Sequence, residues 1–209
     1  MIDKLKNFKN LSPAAKASIA LLFANLVLKG LSMISGPIFT RLMTTSQYGV
    51  VSTFMSWQSM LMTIVTLNLG AGVFNNGMLE YKDDRDCFQF SLTVVSTITA
   101  VIFLAIYLIF PNALTKFFEM PAIIIYILVI YYIFVPVYGY WSGRQRYEFK
   151  YKALTCITIA MAVVSLVIGL IVVLIVPEED KALARIISSV LPNIVVGMFF
   201  FGYSASSST

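Results

Sequence analysis

The residue that first invites a chemical reading is Lys29. It stands alone among uncharged neighbours in the run from Ala17 to Thr40. An ammonium at the centre of a membrane-spanning helix costs about 2.5 to 3.5 kcal/mol even on the lenient insertion scale, so such groups usually face a bundle interior or a wet cavity. On a helical wheel Ser18, Asn25, Ser32, Gly36 and Thr40 fall within about 60° of Lys29, a polar stripe along the whole run. Two plainer readings stand beside a functional one: the lysine snorkels to an interface, or an acid on a neighbouring helix neutralises it. Snorkelling from the midplane needs a reach of about half the 30 Å hydrocarbon core, more than a lysine stem provides. No Asp or Glu lies inside any apolar stretch of the chain. The functional reading is a cation on a hydrated path, awaiting an anion brought by the cargo.

Other polar groups fit the same path. Arg41 sits near the end of the same run, as an interfacial anchor or as a second cation. Gly36-Pro37 removes a backbone hydrogen bond and should kink the helix. In "TLNLGAGVFNNGM", Asn68, Asn75 and Asn76 offer uncharged amides to sugars, phosphates or other helices, and Gly70, Gly72 and Gly77 allow close packing. "GAGVFN" follows no strand, which removes a dinucleotide-loop reading. The segment "SGRQRYEFKYK" joins four cations to three aromatic rings. It either anchors the chain to anionic lipid or receives a phosphorylated headgroup, and Arg144 and Arg146 are then the bidentate clamps. The tyrosines Tyr126, Tyr131, Tyr132, Tyr138 and Tyr140 either pack or present hydroxyls to a sugar.

Several chemistries lose their support. The chain has no histidine, which removes the usual general base and the Ser-His-Asp arrangement together. Cys87 and Cys156 lack the spacing of a metal site or redox pair. "YKDDRD" is the one acid cluster available to hold Mg²⁺ for an enzyme of polyprenyl lipids, and it is a weak one. The expectation is no enzyme, no cofactor, no metal and no nucleic-acid partner.

The elements that must hold these residues follow from composition. Of 209 residues, 59% are hydrophobic and 12% charged, against about half and about a quarter in a soluble domain. The mean hydropathy is +0.86. This is an all-α integral membrane protein, because within hydrocarbon each backbone group must be satisfied inside its own segment. Uncharged stretches of suitable length predict six spans, near 17–40, 48–77, 88–110, 121–142, 153–176 and 186–203. A basic segment, 1–16, precedes this six-helix lobe and a polar tail, 204–209, follows it. The net charge of +5 reports orientation. Lys4, Lys6, Lys9, Lys16, Lys82, Arg85, Arg144, Arg146, Lys150 and Lys152 gather on one side; Arg41, Lys116, Lys181 and Arg185 gather in loops on the other. The bias places both termini in the cytoplasm, with Tyr138, Tyr140 and Trp141 as an aromatic belt at the headgroup level.

The runs "KGLSMISGPIFTRLMTTSQYGVVSTFMSW", "LNLGAGVFNNGMLEY" and "RQRYEFKYKALTCITI" together resemble the N-terminal half of polysaccharide-type oligosaccharide flippases of the multidrug/oligosaccharidyl-lipid/polysaccharide (MOP) superfamily. The resemblance implies one lobe of a two-lobed transporter in the bacterial inner membrane. Its cargo would be an undecaprenyl-diphosphate-linked O-antigen or capsule unit, flipped by alternating access. It further implies that Lys29 and Arg41 receive the diphosphate. Implied partners are the lipid-linked oligosaccharide, membrane lipid, a second lobe or second copy, and a polysaccharide polymerase. Family members have twelve to fourteen spans, so the chain is expected to be truncated, and one lobe is not expected to enclose the cavity alone. Two other readings stay open: a non-transporting membrane interaction module or inactive fragment, and a drug or cation antiporter of the same superfamily. The antiporter would normally need an embedded carboxylate.

Overall fold

The computed structural model describes residues 12–207. Most of the basic N-terminal segment and the last residues of the polar tail lie outside the described residues. Within them every regular element is helical: α1 (Pro13–Leu42), α2 (Thr45–Val65), α3 (Gly72–Glu80), α4 (Arg85–Ile109), α5 (Pro111–Phe118), α6 (Ala122–Tyr147), α7 (Tyr151–Ile175) and α8 (Lys181–Ser207), with a 3-10 turn at Glu178–Asp180. Local chemistry sets the starts. The Ser12 hydroxyl accepts from the Ala15 amide, and Pro13 sits in the first turn, where its missing N–H costs nothing. Thr44 and Gln47 form a reciprocal capping box at the start of α2. α1 runs as one helix through Pro37.

The long helices alternate in direction and give the bundle two ends. At one end the α1–α2 corner meets the start of α8: Lys181 Nζ donates to the Leu42 carbonyl at 3.2 Å, and the Gln47 amide donates to the Glu178 carbonyl. At the other end the start of α4 meets the finish of α6.

Five helices are long and apolar enough to cross a membrane: α1, α4, α6, α7 and the segment Glu178–Ser204 that contains most of α8. Six spans were expected, and the second is the one that differs. Its predicted range, 48–77, breaks at Val65. Leu67 and Asn68 take left-handed backbone conformations with φ near 51°, which end the helix, and α3 then starts separately at Gly72. α2 still has 21 residues, about 31 Å of helix, but Gln47, Ser52, Ser56, Gln58 and Ser59 lower its hydropathy. In the bundle it packs on α8, α4, α6 and α1, while Ser52, Ser56 and Ser59 stay exposed.

The remaining helices pack in the spatial order α4, α6, α8, α7, α1. α6 and α8 are the most enclosed spans, and α1 and α7 the least. Phe54, Tyr107, Ile124, Leu128, Tyr132 and Ile186 form the centre of the core. α8 approaches α6 closely at Gly197, where a Cβ would stand 2.4 Å from the Phe134 carbonyl oxygen. The predicted aromatic belt is turned inward. Tyr140 is buried with its hydroxyl 2.5 Å from Ser96 Oγ, and Trp141 stacks on Phe200 at 4.1 Å.

Candidate functional site

A cavity of about 540 Å³ lies between α1, α2, α7 and α8, with Tyr138 of α6 also on its wall. That volume falls in the range of small-molecule sites, about 300–1,000 Å³. Helical periodicity explains the α1 wall: Leu28, Ser32, Ser35 and Phe39 recur every three or four residues on one face. Ser52 and Tyr48 contribute from α2, Thr158 and Ser165 from α7, and Asn193 from α8. The wall is therefore rich in hydroxyls, while Arg185 is the only charged residue on it.

Arg185 is fixed without being neutralised. Its guanidinium carbon lies 3.9 Å from the centroid of the Phe39 ring, a cation–π contact. Its Nη1 is buried and has no hydrogen-bond partner among the described residues. Among the described residues no carboxylate lines the cavity. A desolvated cation without a counter-charge is costly, so the group that completes this site chemically is an anion with oxygen acceptors. Hydropathy starts the sixth span at residue 186, which leaves Arg185 among the loop charges. The helix in fact starts at Lys181 and carries Arg185 into the bundle. One signal was present in the sequence: Arg185, Ser189 and Asn193 recur at intervals of four and make a polar stripe like that around Lys29.

The residues singled out from sequence fall in separate places. Lys29 and Asn25 are exposed on the middle of α1, off the cavity wall. Lys29 nonetheless shares a helix face with the wall residues Ser32 and Gly36 and directly follows the wall residue Leu28. Lys29 pairs with no acid among the described residues. Arg41 is exposed in the last turn of α1, also off the wall. Asn68 lies in the turn after α2, and Asn75 and Asn76 lie on α3; all three are exposed, at the opposite end of the bundle from Arg41. The Tyr147 hydroxyl donates to the Asn75 carbonyl at 3.2 Å.

Arg144 and Arg146 also sit at that end, in different surroundings. The Arg144 guanidinium donates to both carboxylate oxygens of Asp86 and, through Nε, to Glu148 Oε1 at 2.7 Å. Lys150 Nζ lies 2.6 Å from Glu148 Oε2, and Arg85 donates from Nε to the Met78 carbonyl at 3.2 Å. Arg146 is exposed. The network thus ties α3, α4 and the end of α6 together, and it engages Arg144 with two carboxylates. Partial burial opposes ionisation of Glu148, yet hydrogen bonds from Lys150 and Arg144, and their charges, outweigh it and hold the carboxyl below its ordinary range.

Apolar helices long enough to span a bilayer, packed into one bundle, define a multi-pass membrane protein. The comparison with known families agrees: a family model described as polysaccharide biosynthesis protein matches residues 14–206, and the chain belongs to that family. No curated protein and no solved structure gives a significant match.

Proposed function

We propose that the chain acts in the passage of a polyprenyl-diphosphate-linked oligosaccharide across a bacterial inner membrane, as one lobe of a flippase that alternates its access. The observation that carries this reading is Arg185, a half-buried cation whose Nη1 is buried with no hydrogen-bond partner among the described residues, on a cavity wall where hydroxyls and the Asn193 amide alternate with apolar side chains. The diphosphate supplies the missing negative charge and the oxygen acceptors. The sugar meets Ser32, Ser52, Thr158 and Asn193, side chains that donate or accept without charge. Lys29, adjoining the wall on α1, offers a second cation at its rim. The transport reaction is binding and release, with no covalent step and no cofactor.

The excess of Lys and Arg at the Arg144 end supports an orientation with both termini in the cytoplasm. A second lobe or second copy completes the enclosure on the exposed side of α1 and α7, the least enclosed spans.

The test is leaflet exchange in proteoliposomes holding a fluorescent polyprenyl-diphosphate disaccharide, read by the fraction of probe accessible to dithionite. The wild-type chain should accelerate exchange. Arg185→Ala should return it to the protein-free rate, and Arg185→Lys should retain part of it. Exchange by Arg185→Ala as fast as by wild type would contradict the reading.

A further inference from the structure

We infer that Gly169, which reaches no ligand itself, is the positioning residue of the Arg185 site, because its missing side chain is the slot in which the guanidinium lies. The inference rests on the functional reading above and adds to it how the cation is held.

Gly169 is buried on α7, facing α8. A Cβ at this position would stand 2.8 Å from Arg185 Nη1, 3.1 Å from Phe39 Cζ and 3.1 Å from Ser188 Oγ. The three neighbours belong to α8 and α1, so the glycine marks the point where both helices converge on α7. The nearest of them is the same nitrogen that is buried without a partner. The guanidinium is therefore confined on two sides, by the Phe39 ring at 3.9 Å and by the bare Cα of Gly169. This confinement fixes which way its free N–H groups point.

A methyl group here is not expected to break the fold. At Gly197 the obstacle is a backbone carbonyl, and a helix would have to move. At Gly169 the closest atom is the tip of a long side chain, which can retreat to ordinary contact at about 3.5–4.0 Å, while the Phe39 ring edge and the Ser188 hydroxyl, each at 3.1 Å, need give only a few tenths of an ångström. The cation moves and the bundle stays. Displacements on this scale matter where a guanidinium must meet an oxyanion, because a hydrogen bond weakens steeply once its angle falls toward about 120°.

The experiment separates positioning from packing. Farnesyl diphosphate is titrated calorimetrically into the full chain in detergent, with uncharged farnesol as control, for wild type, Gly169→Ala, Arg185→Lys and the double variant. Lysine lacks the branch that carries Nη1, so its tip does not meet the added methyl group. Gly169→Ala should weaken farnesyl diphosphate about tenfold in the wild-type background, the lower end of what losing one charge-assisted hydrogen bond costs. In the Arg185→Lys background the same change should alter affinity less than about twofold, a coupling that independent sites do not show. Farnesol should bind all four alike. An equal loss in both backgrounds, or no loss in either, would overturn the inference. If Gly169→Ala alone gives no folded protein, folding of the double variant supports it and failure of both contradicts it. Arg185→Ala in the same titration reads the underlying proposal: undiminished binding there refutes the anion site itself, whereas its loss with Gly169→Ala unaffected refutes only the positioning role.

Discussion

At the scale of single residues, two cations in this chain obey the same physics in different places. The aromatic face beneath Arg185 contributes about 0.5–2 kcal/mol of cation–π attraction, but a ring has no net charge to cancel the guanidinium. Lys29 has no such support and stands exposed on the side of α1 that leads into the cavity wall at Ser32 and Gly36. Its proposed role is to hold the diphosphate at the rim before or after Arg185 does. Lys29→Ala should therefore slow leaflet exchange in proteoliposomes about tenfold, and Lys29→Arg should keep most of the rate, since a charge-assisted contact is worth about 1.5–3 kcal/mol. An alanine variant as fast as wild type would leave Lys29 as a snorkelling or packing residue. Lys29 was legible in the sequence because a lone charge in an apolar run is conspicuous. Arg185 was less so: its spacing with Ser189 and Asn193 hints at one helix face, but a cation four residues into a helix reads as a loop charge until the first helical residue is known.

At the scale of elements, the ends of the helices decide what the middle can do. α3 is held against α4 and α6 by the Phe74–Tyr140 stack at 5.9 Å, by the Tyr147 bond to Asn75 and by Arg85 on the Met78 carbonyl. Beside it Asp86, Arg144, Glu148 and Lys150 form one charge network, with Arg85 4.0 Å from Glu148. The Glu148 carboxyl titrates below its ordinary value of 4.5, so its contribution to stability is complete above that pH and disappears as pH falls through the lower native value. Thermal unfolding followed by circular dichroism should show wild type losing its melting-temperature advantage over Glu148→Gln between about pH 5 and pH 3. Parallel curves across that range would remove the network from the account. This cluster was only half legible. The basic run was plain in sequence, but its partner Asp86 lies 58 residues from Arg144, and nothing local announces that pairing. The break after Val65 was hidden for a related reason: the left-handed turn at Leu67 and Asn68 contains no proline or charge, so the uncharged run continues through it.

At the scale of the molecule, the all-helical membrane class was legible because lipid permits few alternatives and composition alone announces it. The number of spans was less so. α2 is long enough to cross, but its scattered serines and glutamines lower its hydropathy below that of the other long helices, and only Ser52 and Tyr48 among its polar residues reach the cavity. The central claim is that this cavity receives an anionic lipid through Arg185. The most direct measurement is the affinity of the purified chain for farnesyl diphosphate, by calorimetry, with and without Arg185→Ala. The account predicts a loss of about ten- to a hundredfold for the variant, the value of a charge-assisted contact, with farnesol binding unchanged. Equal affinity of the two proteins for farnesyl diphosphate would contradict it.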